Sequence, residues 1–259
     1  MKQIDFDHGT VTGNILGAAL PMLVAQILSL LYNIVDRIYI ARIPSVGTTA
    51  LGAVGLCFPI IVIITAFSNL FGSGGAPLFS INRGKGDIKK AEVIMNTSFS
   101  MLCICGVALM VIGMLFASPI LVLFGASEEG LSYAYPYMMI YLIGTVPSMI
   151  ATGMNPFINA QGYATSGMLS VTIGAVANLI LDPLFIFGLN LGIKGAAIAT
   201  IISQTLSAAY VFYFLRKKAE LKVRVLSKGE WKACRDDAKN IVSLGSCLLY
   251  TSPSPRDGA

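Results

Sequence analysis

Asn178-Leu179-Ile180-Leu181-Asp182-Pro183 lies inside the apolar run Met168 to Leu189 and sets an ionisable carboxylate in a segment long enough to cross a bilayer. About 20 mostly apolar residues are what a membrane helix requires. A lone Asp at the centre of such a helix costs roughly 2.5–3.5 kcal/mol on insertion scales, so it stays only where a partner, an ion or a water-lined cavity compensates it. Asn178 and Asp182 are four residues apart and share a helical face. Pro183 has no N–H to give the carbonyl of Leu179, which is left able to accept from a cation or a water. One helix therefore offers a carboxylate, an amide and a free carbonyl on one side.

The rest of the chain has the same character. Of 259 residues, 55% are hydrophobic and 12% charged, with a mean hydropathy of +0.75, whereas a soluble chain carries about 25% charged residues. The expected fold class is all-α, a polytopic membrane helical bundle. Six runs are long enough to span: Ile15 to Ile40, Leu51 to Phe71, Val93 to Phe116, Tyr133 to Met154, Met168 to Leu189 and Gly195 to Leu215. The positive residues gather in alternate loops: Arg83, Lys85, Lys89 and Lys90 after the second run, and Arg216, Lys217, Lys218, Lys222, Arg224 and Lys228 after the sixth. By the positive-inside rule those loops, and both ends of the six-span unit, face the cytoplasm. The expected location is a bacterial inner membrane, with the N-terminus inside.

Several function classes are disfavoured. The net charge of +5 comes from residues between apolar runs, not from an interleaved basic and aromatic surface, so no nucleic-acid partner is expected. Cys57, Cys103, Cys105, Cys234 and Cys247 form no CxxC pair, and His8 is the only histidine, which argues against a zinc or disulfide framework. His8 reads as a solvated terminal residue. The first run is too long for a signal sequence. No Ser-His pair, protease aspartate motif or metal-ligand set appears, so the chain is not read as an enzyme.

Gly72-Ser73-Gly74-Gly75, at the end of the second run, leads through Pro77 to Arg83-Gly84-Lys85-Gly86-Asp87. It fails as a phosphate loop, because Lys85 is followed by Gly86 rather than Ser or Thr and no strand precedes it. Close approach of helix backbones through small residues is the better reading. Pro21, Pro59, Pro136, Pro147 and Pro183 within or beside spans point to bent helices that can repack, as in transporters.

Asp36 and Asp182 are the only acids inside the spans. Counted at about 1.5 Å per residue, Asp36, Asp182 and Thr200 all fall roughly 6–11 Å from the outer boundary, with Asn33 and Asn178 near that depth. Two carboxylates with an amide and a hydroxyl form a hard oxygen environment, suited to Na⁺ or to a shared proton. Plainer readings stand beside this one. Asp36 would be solvated beside Arg37, Asn178 would be interhelical glue, Thr200 would bond its own backbone, and Asp182 would be structural. Tyr32, Tyr39, Tyr137 and Tyr141 read first as core or interface belt.

The sequence resembles the N-terminal lobe of a multidrug and toxic compound extrusion (MATE) transporter, nearest to its bacterial DNA-damage-inducible-type branch. The match rests on Leu20-Pro21 through Asp36, on Gly72-Ser73-Gly74-Gly75 through Gly84-Lys85-Gly86-Asp87, and on Asn178 through Gly188 with Gly192-Ile193-Lys194-Gly195-Ala196-Ala197-Ile198-Ala199-Thr200. The resemblance implies six helices forming one lobe of a twelve-helix transporter. It also implies a cation-coupled antiporter that exports amphipathic or cationic compounds in exchange for Na⁺ or H⁺. It places the coupling-ion site at positions matching Asp36, Asn178, Asp182 and Thr200, with no other cofactor. The partners would be a small-molecule substrate, the lipid bilayer and a missing C-terminal lobe. The loop Asn159-Ala160-Gln161-Gly162 departs from the family by lacking a basic residue before its Gln-Gly. A lipid-linked precursor flippase of the same superfamily is a rival, as is a non-transporting membrane scaffold or sensor. The flippase would call for a basic cleft, yet Arg37 is the only Lys or Arg within the spans.

The expected division is a cytoplasmic N-terminus (1–14), a six-span lobe (15–215), a basic connector with an interfacial helix at Lys228 to Lys239, for which a solvated linker helix is the plainer reading (216–240), and the start of a second lobe (241–246). From about Cys247, residues 247–259 read as a non-native tail resembling translated adapter or vector sequence, and are set aside.

Overall fold

The computed structural model describes residues 10–44, 46–224, 226 and 234–251, and these form helices joined by short turns. α1 is Val11–Ala41, α2 Gly47–Gly84, α3 Ile88–Leu115 and α4 the short Ala117–Leu123. α5 is Glu128–Ile143, α6 Thr145–Ala160 and α7 Ala164–Pro183. A π-helical turn, Leu184–Gly188, follows α7; α8 is Gly192–Lys217 and α9 is Arg235–Thr251. Local chemistry sets the starts. Thr10, Asp87 and Ser127 cap α1, α3 and α5 by accepting from Gly13 N (3.2 Å), Lys90 N (3.0 Å) and Gly130 N (3.1 Å), as N-cap oxygens do.

Among the described residues five helical stretches are long and apolar enough to cross a membrane, and the pair α5 and α6, bent by 56°, supplies a sixth. The six expected spans therefore each have a helical counterpart, with corrections. The second does not stop at Phe71: α2 runs on through Gly72-Ser73-Gly74-Gly75 to Gly84. Glycine weakens an isolated helix, but here it permits contacts that outweigh the loss. A Cβ on Gly72 would run into the Gly153 carbonyl of α6, and one on Gly74 into Ile241 and Gly245 of α9. The fourth span is broken in two at Gly144. The fifth leaves α geometry at Pro183, whose missing N–H removes a rung of the ladder. α4 was not expected at all.

Residues 1–9, with His8, lie outside the described residues, as do 228–233 of the proposed interfacial helix and 252–259 of the tail. α9 continues unbroken from Arg235 through Ile241 and Cys247 to Thr251. Its Gly245 packs so closely that a Cβ would strike the Leu70 carbonyl of α2, and Asp237 pairs with Lys90 at 2.7 Å.

The core is built mainly between α2, α3, α5 and α6. Phe79 and Phe157, both fully buried, meet edge to face at 5.6 Å, with Met95, Leu102, Met149 and Met154 around them. α1 stands at the margin. It packs chiefly on α7 and leaves Leu20, Leu23, Ile27 and Leu30 exposed, as a lipid-facing or lobe-facing helix does.

Candidate functional site

The α1–α7 contact brings two acids together. Asp36 is half-buried and Asp182 fully buried, and their carboxyl groups come within hydrogen-bonding range of each other. Asn178, one turn below on α7, donates its Nδ2 to Asp182 Oδ1 at 3.1 Å. Asp36 Oδ1 and Asp182 Oδ2 are buried with no hydrogen-bond donor. Two ionised carboxylates about 4 Å apart repel by about 4 kcal/mol at an effective dielectric of 20. Such a pair is at rest only when it shares a proton or closes on a cation.

Among the described residues no ammonium or guanidinium forms an ion pair with Asp182. Arg37, next to Asp36, holds its guanidinium 5.7 Å over the ring of Phe58 on α2. Tyr137, buried and stacked on Tyr141 at 6.2 Å, lies within electrostatic reach of both acids. The sequence reads Tyr137 first as core or interface belt, with lining a cavity as the other reading. Its position four residues before Tyr141 was the available signal, but which face of α5 meets the acids depends on packing between distant helices.

The other expected members are placed differently. Asn33 donates to Ser29 O in its own helix at 2.6 Å. Thr200, half-buried on α8, donates to Ala196 O at 2.9 Å. Asp36, Asn178 and Asp182 thus converge, while the Thr200 hydroxyl bonds its own backbone. Among the described residues no group of three or more His, Cys, Asp or Glu gathers as a metal site, so what remains is a small oxygen cage.

At the basic end of the lobe, polar groups are arranged quite differently. Gln161, fully buried, accepts the Leu221 N–H at 2.9 Å, and buried Asn96 accepts the Arg224 N–H at 2.8 Å. Ala219, Leu221 and Val223 are buried, so the connector lies as a strap on the lobe. Arg83 from α2 donates to Ala160 O at 3.1 Å and pairs with Glu220 at 2.6 Å. The basic group that the loop Asn159 to Gly162 lacks in sequence therefore arrives from another helix.

The MatE family model matches residues 21–184. The chain belongs to the MatE family. It is 29% identical over 221 residues to the multidrug export protein MepA of Staphylococcus haemolyticus, covering 85% of this chain and 48% of that protein. It is 30% identical over 216 residues to a FAD transporter of Shewanella oneidensis, covering 80% and 47%. Among solved structures it resembles the outward-facing conformation of a multidrug resistance MATE family transporter of the MOP superfamily. The TM-score is 0.84 at 26% identity, over 95% of this chain and 54% of that one. The chain spans about half the length of the curated relatives it matches. MatE proteins are transporters, not enzymes, and this chain is a multi-pass membrane protein with the helices of one transporter lobe.

Proposed function

We propose that this MatE lobe binds the coupling cation, Na⁺ or H⁺, of an antiporter that exports amphipathic or cationic compounds. One observation carries the reading: Asp36 and Asp182 face each other across two helices with no donor for one oxygen of each. Asn178 orients Asp182, and Thr200 is an outlying member that joins only by re-aiming its hydroxyl. A cation between the acids draws α1 against α7, and its loss lets the two helices separate. Binding thereby biases the lobe between two packings, and cargo couples to the ion through that equilibrium.

The test is ethidium efflux by a full-length protein carrying this lobe. Asp182→Asn keeps the shape and removes the charge, and is expected to abolish cation-driven efflux with normal expression. Undiminished efflux would overturn the assignment.

The relative named a FAD transporter gives a second cargo reading, an anionic dinucleotide. Within the six sequence-defined spans Arg37 is the only cationic side chain, so this half favours cationic or neutral cargo. Efflux of FAD but not ethidium by the full-length protein would reverse that preference.

A further inference from the structure

We propose that a hydrated polar file between α6, α7 and α8 links the acid pair to the basic end of the lobe and serves as a proton route to Asp182. This rests on the reading of the acid pair as a cation site. Asp182, Asn178, Gly174, Ser170 and Ser166 follow one another at steps of four, a single ridge of α7. The ridge runs from Ser166 to Asp182, about 24 Å of helix. Its four polar side chains are all buried. Facing it are Ser203 and Ser207 on α8 and Asn155 and Asn159 on α6, also at steps of four.

The lower part is continuous. Asn159 Nδ2 donates to Asn155 Oδ1 at 3.1 Å. Asn155 Nδ2 donates to Ser170 Oγ at 2.8 Å and to Gly167 O at 3.0 Å, and Ser207 Oγ donates to Ser170 O at 2.9 Å. The upper part holds the hydrogen bond from Asn178 to Asp182. Between them lies Gly174, where a Cβ would stand 3.4 Å from Ser207 Cβ and 3.6 Å from Ser203 O. Beside this gap Ser203 is 4% exposed, and its hydroxyl has no partner. Asn159 Oδ1, Gln204 Oε1 and Asp182 Oδ2 are likewise buried and unpartnered. Buried polar atoms are almost always hydrogen-bonded, to ordered water where protein is lacking. Asn159 Oδ1, Ser203 Oγ and Asp182 Oδ2, near both ends and beside the central gap, offer water polar partners along this path.

The side chains facing the acids from other elements are Tyr32 and Arg37 on α1 and Tyr137 on α5, with Cys57 and Tyr141 beside Tyr137. None of them leads to the basic end. Ser and Asn both donate and accept, so water among them can pass a proton on. One proton leaves the carboxyl of Asp182, each water in the file takes one and gives one up while the Ser and Asn side chains hold the waters in line by hydrogen bonds, and the net change is a charged Asp182 and a proton delivered at the basic end.

The test uses the full-length protein in proteoliposomes, with ethidium efflux driven by a pH gradient and ethidium affinity measured separately. Gly174→Ala fits at ordinary contact distances and should retain efflux. Gly174→Val fills the gap and should lose efflux driven by the pH gradient without a change in ethidium Kd; Ser203→Ala should slow it. Equal rates in all three variants overturn the file. A parent driven by Na⁺ but not by a pH gradient also overturns it while leaving the cation site standing, whereas efflux surviving Asp182→Asn defeats the site itself. A labelling test does not depend on Gly174→Val folding. With the five native cysteines replaced by Ala, Ser203→Cys should react with a small methanethiosulfonate in membranes, and Ala208→Cys, buried off the file, should not. No reaction at position 203 counts against the file.

Discussion

The two ends of the lobe treat buried polar atoms in opposite ways. At the basic end, Gln161 and Asn96 each accept a backbone N–H of the connector, and Arg83 serves both Ala160 and Glu220. At the acid pair, two carboxyls face each other with a donorless oxygen on each. Asn96 Nδ2 is itself unpartnered, so charge rather than satisfaction separates the ends: neutral amides that accept from the connector hold it in place, whereas two like-charged carboxyls are held together by their surroundings against their own repulsion. The difference separates a staple from a switch.

The largest expected effect breaks the switch and leaves the staple. Asp182→Asn should abolish efflux and at the same time raise the unfolding temperature in Na⁺-free alkaline buffer, because like-charge repulsion is removed; a fall in unfolding temperature would show the pair to be a structural asset. The converse experiment removes the staple. Gln161→Ala leaves the Leu221 N–H buried and unpaired, at a cost of about 1–3 kcal/mol, read as faster amide exchange at Leu221 and a lower unfolding temperature. Unchanged exchange would show that the strap is held by its apolar side chains alone. Gly245→Leu should displace α9 from α2, since even a Cβ there meets the Leu70 carbonyl; loss of a cross-link between cysteines placed at Ser73 and Leu244 would report it. The smallest effect is expected from Thr200→Val. Its hydroxyl already bonds Ala196, so efflux should fall by less than about threefold, roughly 0.6 kcal/mol; a collapse of efflux would place Thr200 inside the cage.

Much of this was legible in the sequence, for physical reasons that also explain what was not. Runs of apolar residues bounded by charge locate membrane helices because the bilayer imposes their length. The depth of Asp36 and Asp182 follows from a fixed rise per residue. The Gly72 to Gly75 cluster reads as a helix contact because only glycine lets backbones come so close, yet sequence cannot say that the partners are Gly153 and Gly245, nor that α2 therefore continues to Gly84. The bend at Gly144 and the anchoring of a polar connector by Gln161 and Asn96 depend on residues 60 or more positions away, as the separation of 60 between Leu221 and Gln161 shows. Local pattern does not carry that information. Thr200 shows the opposite limit: its depth suits the site, but a hydroxyl on a helix has a carbonyl of its own always in reach.

The π turn that follows Pro183 has a bearing on how the C-terminal end of α7 can move. Leu189 N–H reaches back five residues to Leu184 O at 2.9 Å, so this turn stores one residue more than an α turn needs. Sliding that surplus residue along the backbone would change helical register without unwinding the helix. It would rotate whatever lies beyond it by about 100° and shift it by about 1.5 Å. Immediately beyond lie Asn190 and Gly192, with φ of 53° and 54°, a loop already set in the left-handed region and able to take up the slack. The helix that carries Asp182 thus ends in a turn with one residue to spare, placed where α7 hands over to α8.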